Sequence, residues 1–307
     1  MTKIIVNGAS SFIGRNLVNF LLDKKCIVYS VIRNIENKKY FNNNSNLKII
    51  NLSSNEIDKL HLMINEKYID YYFDFSWIGT GIKKNNYVYQ QHNIQNTINN
   101  FLQSQNLKCK KYIGAGSFYE KEFRYLIKRK QNHKVKINNK YFYAIFKELV
   151  KNVCNILENN GSTNFVWLNI SNVYGPGEIS DRFISNTFKN ILQNKKINVS
   201  KHNFLYDFIY IDDAIDLIYD VQNESGTCSV YNICSNSPRY FHWYIKKINE
   251  IVGNNFIISC LESDYTQVHL KKEDFLDNFC SKWKNKNFTS FEEGIKKTYE
   301  WWKKQIK

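Results

Sequence analysis

The 307-residue chain has no Cys-x-x-Cys pair, no ligand-spaced histidine cluster and no apolar run long enough to cross a bilayer. Its seven cysteines, at positions 26, 109, 154, 228, 234, 260 and 280, are scattered and odd in number. That pattern reads as reduced thiols, not as a disulfide framework or a zinc site. The six histidines are equally dispersed, so no metal is expected. A spanning helix needs roughly 20 consecutive apolar residues, and nothing approaches that, so no membrane partner is expected. Met1-Thr2-Lys3-Ile4-Ile5-Val6 enters a strand-like run at once, without an apolar leader or a small-residue cleavage site. A cytoplasmic protein is expected. Internal repeats and low-complexity linkers are also missing, which argues for interleaved lobes over a clean tandem of domains.

Acidic residues are in short supply: 28 Asp and Glu against 43 Lys and Arg leave a formal charge of +15. Such an excess can mark a nucleic-acid or membrane partner, or a surface that gathers anionic substrates. Lys and Asn are interleaved throughout, without a long basic run or a repeated basic-aromatic module. The charge is therefore read as compositional drift or as attraction for a phosphorylated small molecule, and a nucleic-acid partner is not expected.

Strand-like and helix-like segments alternate through the first half. Apolar runs at Lys3–Asn7, Cys26–Ile32, Leu47–Leu52, Tyr71–Trp77, Lys111–Ala115 and Asn164–Ile170 read as strands. A helical pattern follows Gly14, and another covers Tyr87–Gln105, with Ile94, Ile98, Phe101 and Leu102 proposed as its apolar face. This order predicts an α/β fold, a Rossmann-type doubly wound parallel sheet covered on both faces. Beyond Tyr174-Gly175-Pro176-Gly177, a strong turn signal, the pattern becomes mixed, with a helix expected at Phe183–Leu192. We expect residues 1–172 to form a dinucleotide-binding domain and residues 173–307 mainly a smaller substrate lobe, with some segments returning to the sheet. The stretch from Glu120 to Lys140, carrying Lys128-Arg129-Lys130 and Lys134-Val135-Lys136, reads as a solvated loop or, functionally, as a basic lid over a diphosphate.

Three local signals carry chemistry. Tyr143 and Lys147 are spaced i, i+4, which puts them on one face of a helix. An ammonium beside the phenol favours the phenolate and lowers a tyrosine pKa from about 10 toward neutrality. In a chain rich in Tyr and Lys, a chance pair on a solvated helix is the alternative. Gly8-Ala9-Ser10-Ser11-Phe12-Ile13-Gly14 places one glycine at a strand end and another at a helix start, where a backbone approaches a pyrophosphate. Ser11 stands where a middle glycine would strengthen the match. At the end of the second strand, Ser30-Val31-Ile32-Arg33-Asn34 has no acidic residue until Glu36. Arg33 there suits a 2′-phosphate, favouring NADP(H) over NAD(H), with an ordinary exposed arginine as the alternative.

Together these residues resemble the extended short-chain dehydrogenase/reductases, specifically the NAD-dependent epimerase/dehydratase group that modifies nucleotide sugars. The resemblance rests on Gly8–Gly14, Phe75-Ser76-Trp77, Asn93-Ile94-Gln95-Asn96-Thr97, Gly114-Ala115-Gly116-Ser117, Tyr143 with Lys147, Asn172-Val173-Tyr174-Gly175-Pro176-Gly177, Asp207–Asp213, Tyr231-Asn232-Ile233 and Ser290–Ile295 running into Trp301-Trp302. It implies Tyr143 as general acid/base, Lys147 on the nicotinamide ribose, and Ser117 hydrogen-bonded to the reacting carbonyl. It further implies that the cofactor is held by Gly8, Ser10, Ser11, Phe12, Ile13, Gly14, Arg33, Asn51, Leu52, Phe75, Ser76, Trp77, Asn93, Tyr143, Lys147, Ile170 and Val173. Ser117, Phe118, Asn172, Arg182, Phe183, Tyr206 and Arg239 would hold a nucleotide-diphosphate sugar. A homodimer is implied as well, through Tyr87–Gln105 and Phe142–Leu157, although their apolar stripes are equally explained by packing on the sheet.

Three departures refine the expectation. Four residues before Tyr119, where the pattern often has a hydroxyl, stands Ala115, so Ser117 is taken as the catalytic serine. Ser117 is followed by Phe118 and Tyr119, not by the Asp-Glu pair of sugar-nucleotide 4,6-dehydratases, which weakens the dehydratase reading. Tyr206 stands where an arginine commonly precedes the Asp-Phe of the substrate lobe, leaving Arg182, Lys201 or Arg239 to meet the diphosphate. The leading expectation is an NADPH-dependent reductase of a 4-keto-6-deoxy nucleotide sugar. The alternatives are an NAD-using 4-epimerase or C4 dehydrogenase and, more remotely, a member that binds nucleotide or RNA without redox chemistry.

Overall fold

The computed structural model describes residues 1–130, 137–224, 229–253, 258–261 and 270–306. The first half alternates β1 (Lys3–Asn7), α1 (Phe12–Asp23), β2 (Ile27–Ile32), β3 (Leu47–Asn51), α2 (Leu60–Met63), β4 (Tyr71–Asp74), α3 (Tyr87–Asn106), β5 (Lys111–Ser117), α4 (Tyr119–Lys130), α5 (Phe142–Glu158) and β6 (Asn164–Ile170). Then come β7 (Asn172–Tyr174), α6 (Phe183–Leu192), β8 (Ile197–Ser200), β9 (Leu205–Tyr206), β10 (Phe208–Tyr210), α7 (Ile211–Asp220) and β11 (Val230–Ile233). The chain closes through β12 (Arg239–Tyr240), α8 (Phe241–Val252), β13 (Ile258–Leu261), α9 (Lys272–Leu276) and α10 (Phe291–Gln305).

Seven strands form one sheet in the order β11-β6-β5-β4-β1-β2-β3. Every pairing within it is parallel. Parallel sheets need helices on both faces, which is why Ile4, Ile5 and Val6 are all fully buried and do not alternate with polar residues. One face packs with α1 and α7, the other with α3 and α5. The Rossmann-type arrangement is thus the expected one. β11 comes from the second half and extends the sheet beside β6, while the pairs β7/β10, β9/β12 and β8/β13 stand outside it.

Two elements depart from the sequence reading. The buried face of α3 is built from amides and hydroxyls: Gln90, Asn93, Asn96, Thr97, Asn100 and Ser104 are buried with Phe101, whereas Leu102 is exposed. Burial is tolerated because nearly all of these groups find partners, the Asn96 side-chain oxygen being the exception. Asn93 accepts from the Ile78 N–H at 2.9 Å and donates to the Ile78 carbonyl at 2.9 Å. Gln90 donates to Gly79 at 2.9 Å, and Asn100 accepts from Asn7 and from the Tyr72 hydroxyl. Of the apolar face proposed for this helix, Phe101 is buried in the core and Ile94 packs against it, while Leu102 faces out; the rest of the buried side is a polar lattice that pins the loop after β4. The second correction concerns Glu120–Lys140. Its first part is helix α4, in which Glu120 and Lys121 are buried. The Lys121 ammonium donates to the Asp274 carbonyl and the Asp277 carboxylate, tying α4 to α9 and ruling out a solvated loop there. Lys134–Lys136 lie outside the described residues.

Asp207, fully buried between β9 and β10, accepts from Ser171 Oγ at 2.7 Å, Ser235 Oγ at 2.6 Å and the Ser235 N–H at 3.0 Å. Asp207→Ala would leave those donors unmet, and we expect a loss of about 2 kcal/mol in urea unfolding. A variant as stable as the parent would show that water replaces the carboxylate. Among the described residues, no helix is long and apolar enough to cross a membrane, and no group of three or more His, Cys, Asp or Glu could hold a metal ion.

Candidate active site at the carboxyl edge of the sheet

The carboxyl ends of β1, β4, β5 and β6 open into a cavity of about 850 Å³ that the turns around β7 and α6 close from the other side. Ligands of open α/β sheets bind in this position. One wall is the β1–α1 turn. Gly8 adopts φ +70°, and a Cβ on Gly14 would lie 2.3 Å from the Gly8 carbonyl oxygen, so both positions require glycine. Ser11 is the N-cap of α1 and accepts from the Gly14 N–H at 3.1 Å. The serine that weakened the glycine pattern is thus the residue that caps the helix. A tight turn onto a helix N-terminus fits a pyrophosphate, so the dinucleotide implied by the sequence finds a matching cradle here.

Ser10, Ser11, Phe12, Ile13, Phe75, Trp77, Ile170 and Val173 line the cavity, as do Ser117, Phe118, Asn172, Arg182, Phe183 and Tyr206. Gly8, Gly14, Ser76 and Asn93 lie behind the wall as its scaffold: Ser76 donates to Asp74, and Asn93 holds the loop after β4. Arg33, exposed at the end of β2, and its neighbours Asn51 and Leu52 lie outside the cavity wall. Arg239 and Lys201 are exposed and also outside it, and Arg239 packs 5.9 Å from the Trp243 ring. Of the three cations considered for a diphosphate, only Arg182 faces the cavity.

Tyr143 and Lys147 are both buried and both line the cavity. Ser117 lines the cavity with Tyr143, and its hydroxyl, which accepts from the Tyr119 N–H at 3.3 Å, works against the burial shift of the Tyr143 phenol, whereas Ala115 contributes its carbonyl to Lys147. Lys147 Nζ sits 3.8 Å from the centre of the Trp77 ring, 5.3 Å from that of Tyr143 and 5.4 Å from that of Trp167. Aromatic faces are favourable surroundings for a cation. Trp77 and Tyr119 both meet the Tyr143 ring edge to face, at 6.0 and 6.1 Å.

The direction of the Tyr143 shift is opposite to expectation. Burial pushes its phenol well above the ordinary tyrosine value, and the largest opposing effect is the positive charge of Arg182. A neighbouring ammonium cannot by itself outweigh removal of a phenolate from water. Lys147 is depressed to about 8, first by burial, with Glu120 and Asp74 opposing. The resting pair is therefore a neutral phenol beside a lysine that titrates near physiological pH.

Sequence reasoning missed Arg15, Tyr40, Lys84, Tyr119 and Glu122, which also line the cavity. Lys84 donates to the Tyr119 hydroxyl at 2.5 Å, and burial raises the Glu122 carboxyl to about 7 against the pull of Lys84. No single motif links these residues, because they reach the cavity from four different connections.

Residues 4–234 match the family described as NAD dependent epimerase/dehydratase. The fold is similar to that of a UDP-glucuronic acid 4-epimerase from Bacillus cereus, solved with UDP-glucuronic acid and NAD, at TM-score 0.76 and 19% identity over 99% of this chain and 100% of that one. A UDP-N-acetylglucosamine 4-epimerase from Methanobrevibacter ruminantium, in complex with UDP-N-acetylmuramic acid, superposes at TM-score 0.80 with 18% identity over 99% of each chain. A UDP-glucose 4-epimerase from Thermotoga maritima, with UDP-glucose, gives TM-score 0.77 and 18% identity over all of both chains.

Proposed function

Because the chain belongs to the NAD-dependent epimerase/dehydratase family, we propose that it is a nucleotide-sugar 4-epimerase. The observation that carries this reading is that Ser117, Tyr143 and Lys147 line one cavity, walled on one side by the glycine turn and on the other by Arg182. The epimerases with similar folds support C4 as the reacting carbon. Phe118 and Tyr119 after Ser117 supply no carboxylate pair for water elimination.

Gly8, Gly14 and the α1 N-terminus would hold the dinucleotide pyrophosphate, with Trp77, Lys147 and Val173 toward the nicotinamide. When bound, that group takes and returns the hydride of the sugar carbon. Tyr143 moves the proton of the C4 oxygen: it accepts the proton as the alcohol becomes a ketone and returns it as the alcohol re-forms. Ser117 donates to the same oxygen and stabilises its developing negative charge. Tyr143 can accept only as the phenolate, so its own proton first leaves to solvent; burial opposes that form, and the positive charges of Arg182 and Lys147 favour it. Arg182 also offers a planar donor fork to the diphosphate.

Two observations favour a second reading, an NADPH-dependent 4-ketoreductase. Arg33, not a carboxylate, ends β2, and a neutral Tyr143 is already in the proton-donating form. Incubation with UDP-linked hexoses, with or without added NADPH, separates the two. Epimerisation at C4 with no net change in nicotinamide absorbance is the expected outcome. One NADPH oxidised per 4-keto sugar consumed would replace it with the reductase. Under the epimerase reading Arg33→Ala changes dinucleotide affinity by less than about twofold, whereas a 2′-phosphate contact would make the loss roughly tenfold. Exposed Leu149 and Ile156 on α5 and Tyr87 and Val88 on α3 suit the homodimer implied by the sequence, which sedimentation would test.

A further inference from the structure

Glu120 has no part in the chemistry described so far, yet it is fully buried directly beneath it. The carboxylate accepts from the Ser117 N–H at 2.7 Å and from the Trp167 indole N–H at 3.0 and 3.2 Å. Lys151 Nζ, one helical turn beyond Lys147 on α5, lies 3.8 Å away. The packing leaves little freedom here. A Cβ on Gly116 would fall 2.2 Å from the Trp167 ring nitrogen, and one on Gly114 would fall 2.7 Å from the same indole. The two glycines before Ser117 thus admit the indole, the indole fixes the carboxylate, and the carboxylate fixes the Ser117 backbone. A carboxylate buried this completely needs both its hydrogen-bond donors and its counter-charges.

We propose that Glu120 is a positioning residue of this site: it fixes Ser117 against Tyr143 and serves as the buried counter-charge that keeps Lys147 an ammonium. The inference rests on the acid–base roles proposed above for Ser117, Tyr143 and Lys147. Two anionic groups face Lys147, Glu120 from α4 and Asp74 from β4. Glu120 in turn is faced from α5 by Lys151, Lys147 and Glu148. Burial raises the Glu120 carboxyl above its ordinary value, and the charges of Lys151 and Lys147 oppose that shift and favour the ionised form. Removing the negative charge destabilises the ammonium, so Lys147 would lose its proton at a lower pH. The basic limb of any activity that needs the ammonium would move down with it.

Glu120→Gln removes the charge and keeps one acceptor oxygen, for the Ser117 N–H, while its NH2 group replaces the oxygen that faces the Trp167 N–H and Lys151. Titration of the Lys147 side chain by NMR of 13C-labelled lysines, its signal assigned by loss in Lys147→Arg, needs no substrate. It therefore reports on Glu120 even if the epimerase reading fails. We expect the Lys147 midpoint in Glu120→Gln to fall by about one pH unit. Glu120→Asp retains the charge but withdraws it from Ser117. That variant should hold the Lys147 midpoint within about 0.3 pH units and lower kcat roughly tenfold, with KM within about twofold. An unchanged Lys147 midpoint in Glu120→Gln would overturn the counter-charge role, and an unchanged kcat in Glu120→Asp would overturn the positioning of Ser117. If Glu120→Gln does not fold, Glu120→Asp and the intact protein still decide the second point.

Discussion

Tyr143→Phe should lower kcat by about 10³-fold while dinucleotide affinity stays within about twofold, since a positioned acid/base contributes roughly 10²–10⁴. The two effects separate because the ring and the hydroxyl do different things. The ring is wedged edge to face between Trp77 and Tyr119, contacts that phenylalanine reproduces. Tyr143 lines the cavity with Ser117, while the glycine turn is set by Gly8, Ser11 and Gly14 and not by the phenol hydroxyl. Stopped-flow or steady-state assay of sugar turnover gives the first quantity, and quenching of intrinsic fluorescence on titration with dinucleotide gives the second. A kcat within tenfold of the parent would remove Tyr143 from the proton-transfer role and direct attention to Glu122, a cavity carboxyl that burial raises to about 7.

The contrast between what was legible in the sequence and what was not follows from the range of the interactions. Strands β1, β2 and β6 and helix α6 were readable because apolar runs and turn residues act within a few positions of each other. Ser117 could be preferred to Ala115 because the two, two residues apart on β5, share the face that meets the cavity and only Ser117 carries a hydroxyl. The amide face of α3 was hidden, because its partners at Ser76, Ile78 and Gly79 lie 11 to 20 residues away and no period reveals them. Helix α4 was hidden by its basic residues: Lys121 reads as solvated until Asp277, 156 positions on, folds over it. The direction of the Tyr143 shift was the largest error, and its cause is general. Spacing reports the nearest charge, whereas burial is a property of the whole fold, and here burial dominates. The same limit applies to Lys84, Tyr119 and Glu122, which share a cavity without sharing a motif.

Gly8→Ala should cost roughly 3 kcal/mol of stability and abolish dinucleotide binding in the accessible concentration range. Two strains add at this residue. Its φ of +70° lies in the left-handed region, where a side chain costs about 1–2 kcal/mol. The added methyl would stand 2.4 Å from the Phe75 carbonyl oxygen, 2.5 Å from its carbon and 2.7 Å from the Ser76 nitrogen. All three are backbone atoms at the end of β4, and the Phe75 N–H is itself bonded to the Asn7 carbonyl, so they cannot rotate away. Relief requires β1 and β4 to separate, which opens the turn that would receive the pyrophosphate. Gly161→Ala is the matched control. Its Cβ would meet the Gln105 amide at 2.4 Å, but that is the far end of a flexible side chain on the surface, and the cost should stay within about 0.5 kcal/mol. Urea unfolding of both variants measures the difference, and equilibrium dialysis against NAD(H) measures the binding. Equal stabilities for the two variants would mean that the β1–α1 turn yields without strain, and the glycine at its start would then have no structural claim on the cofactor.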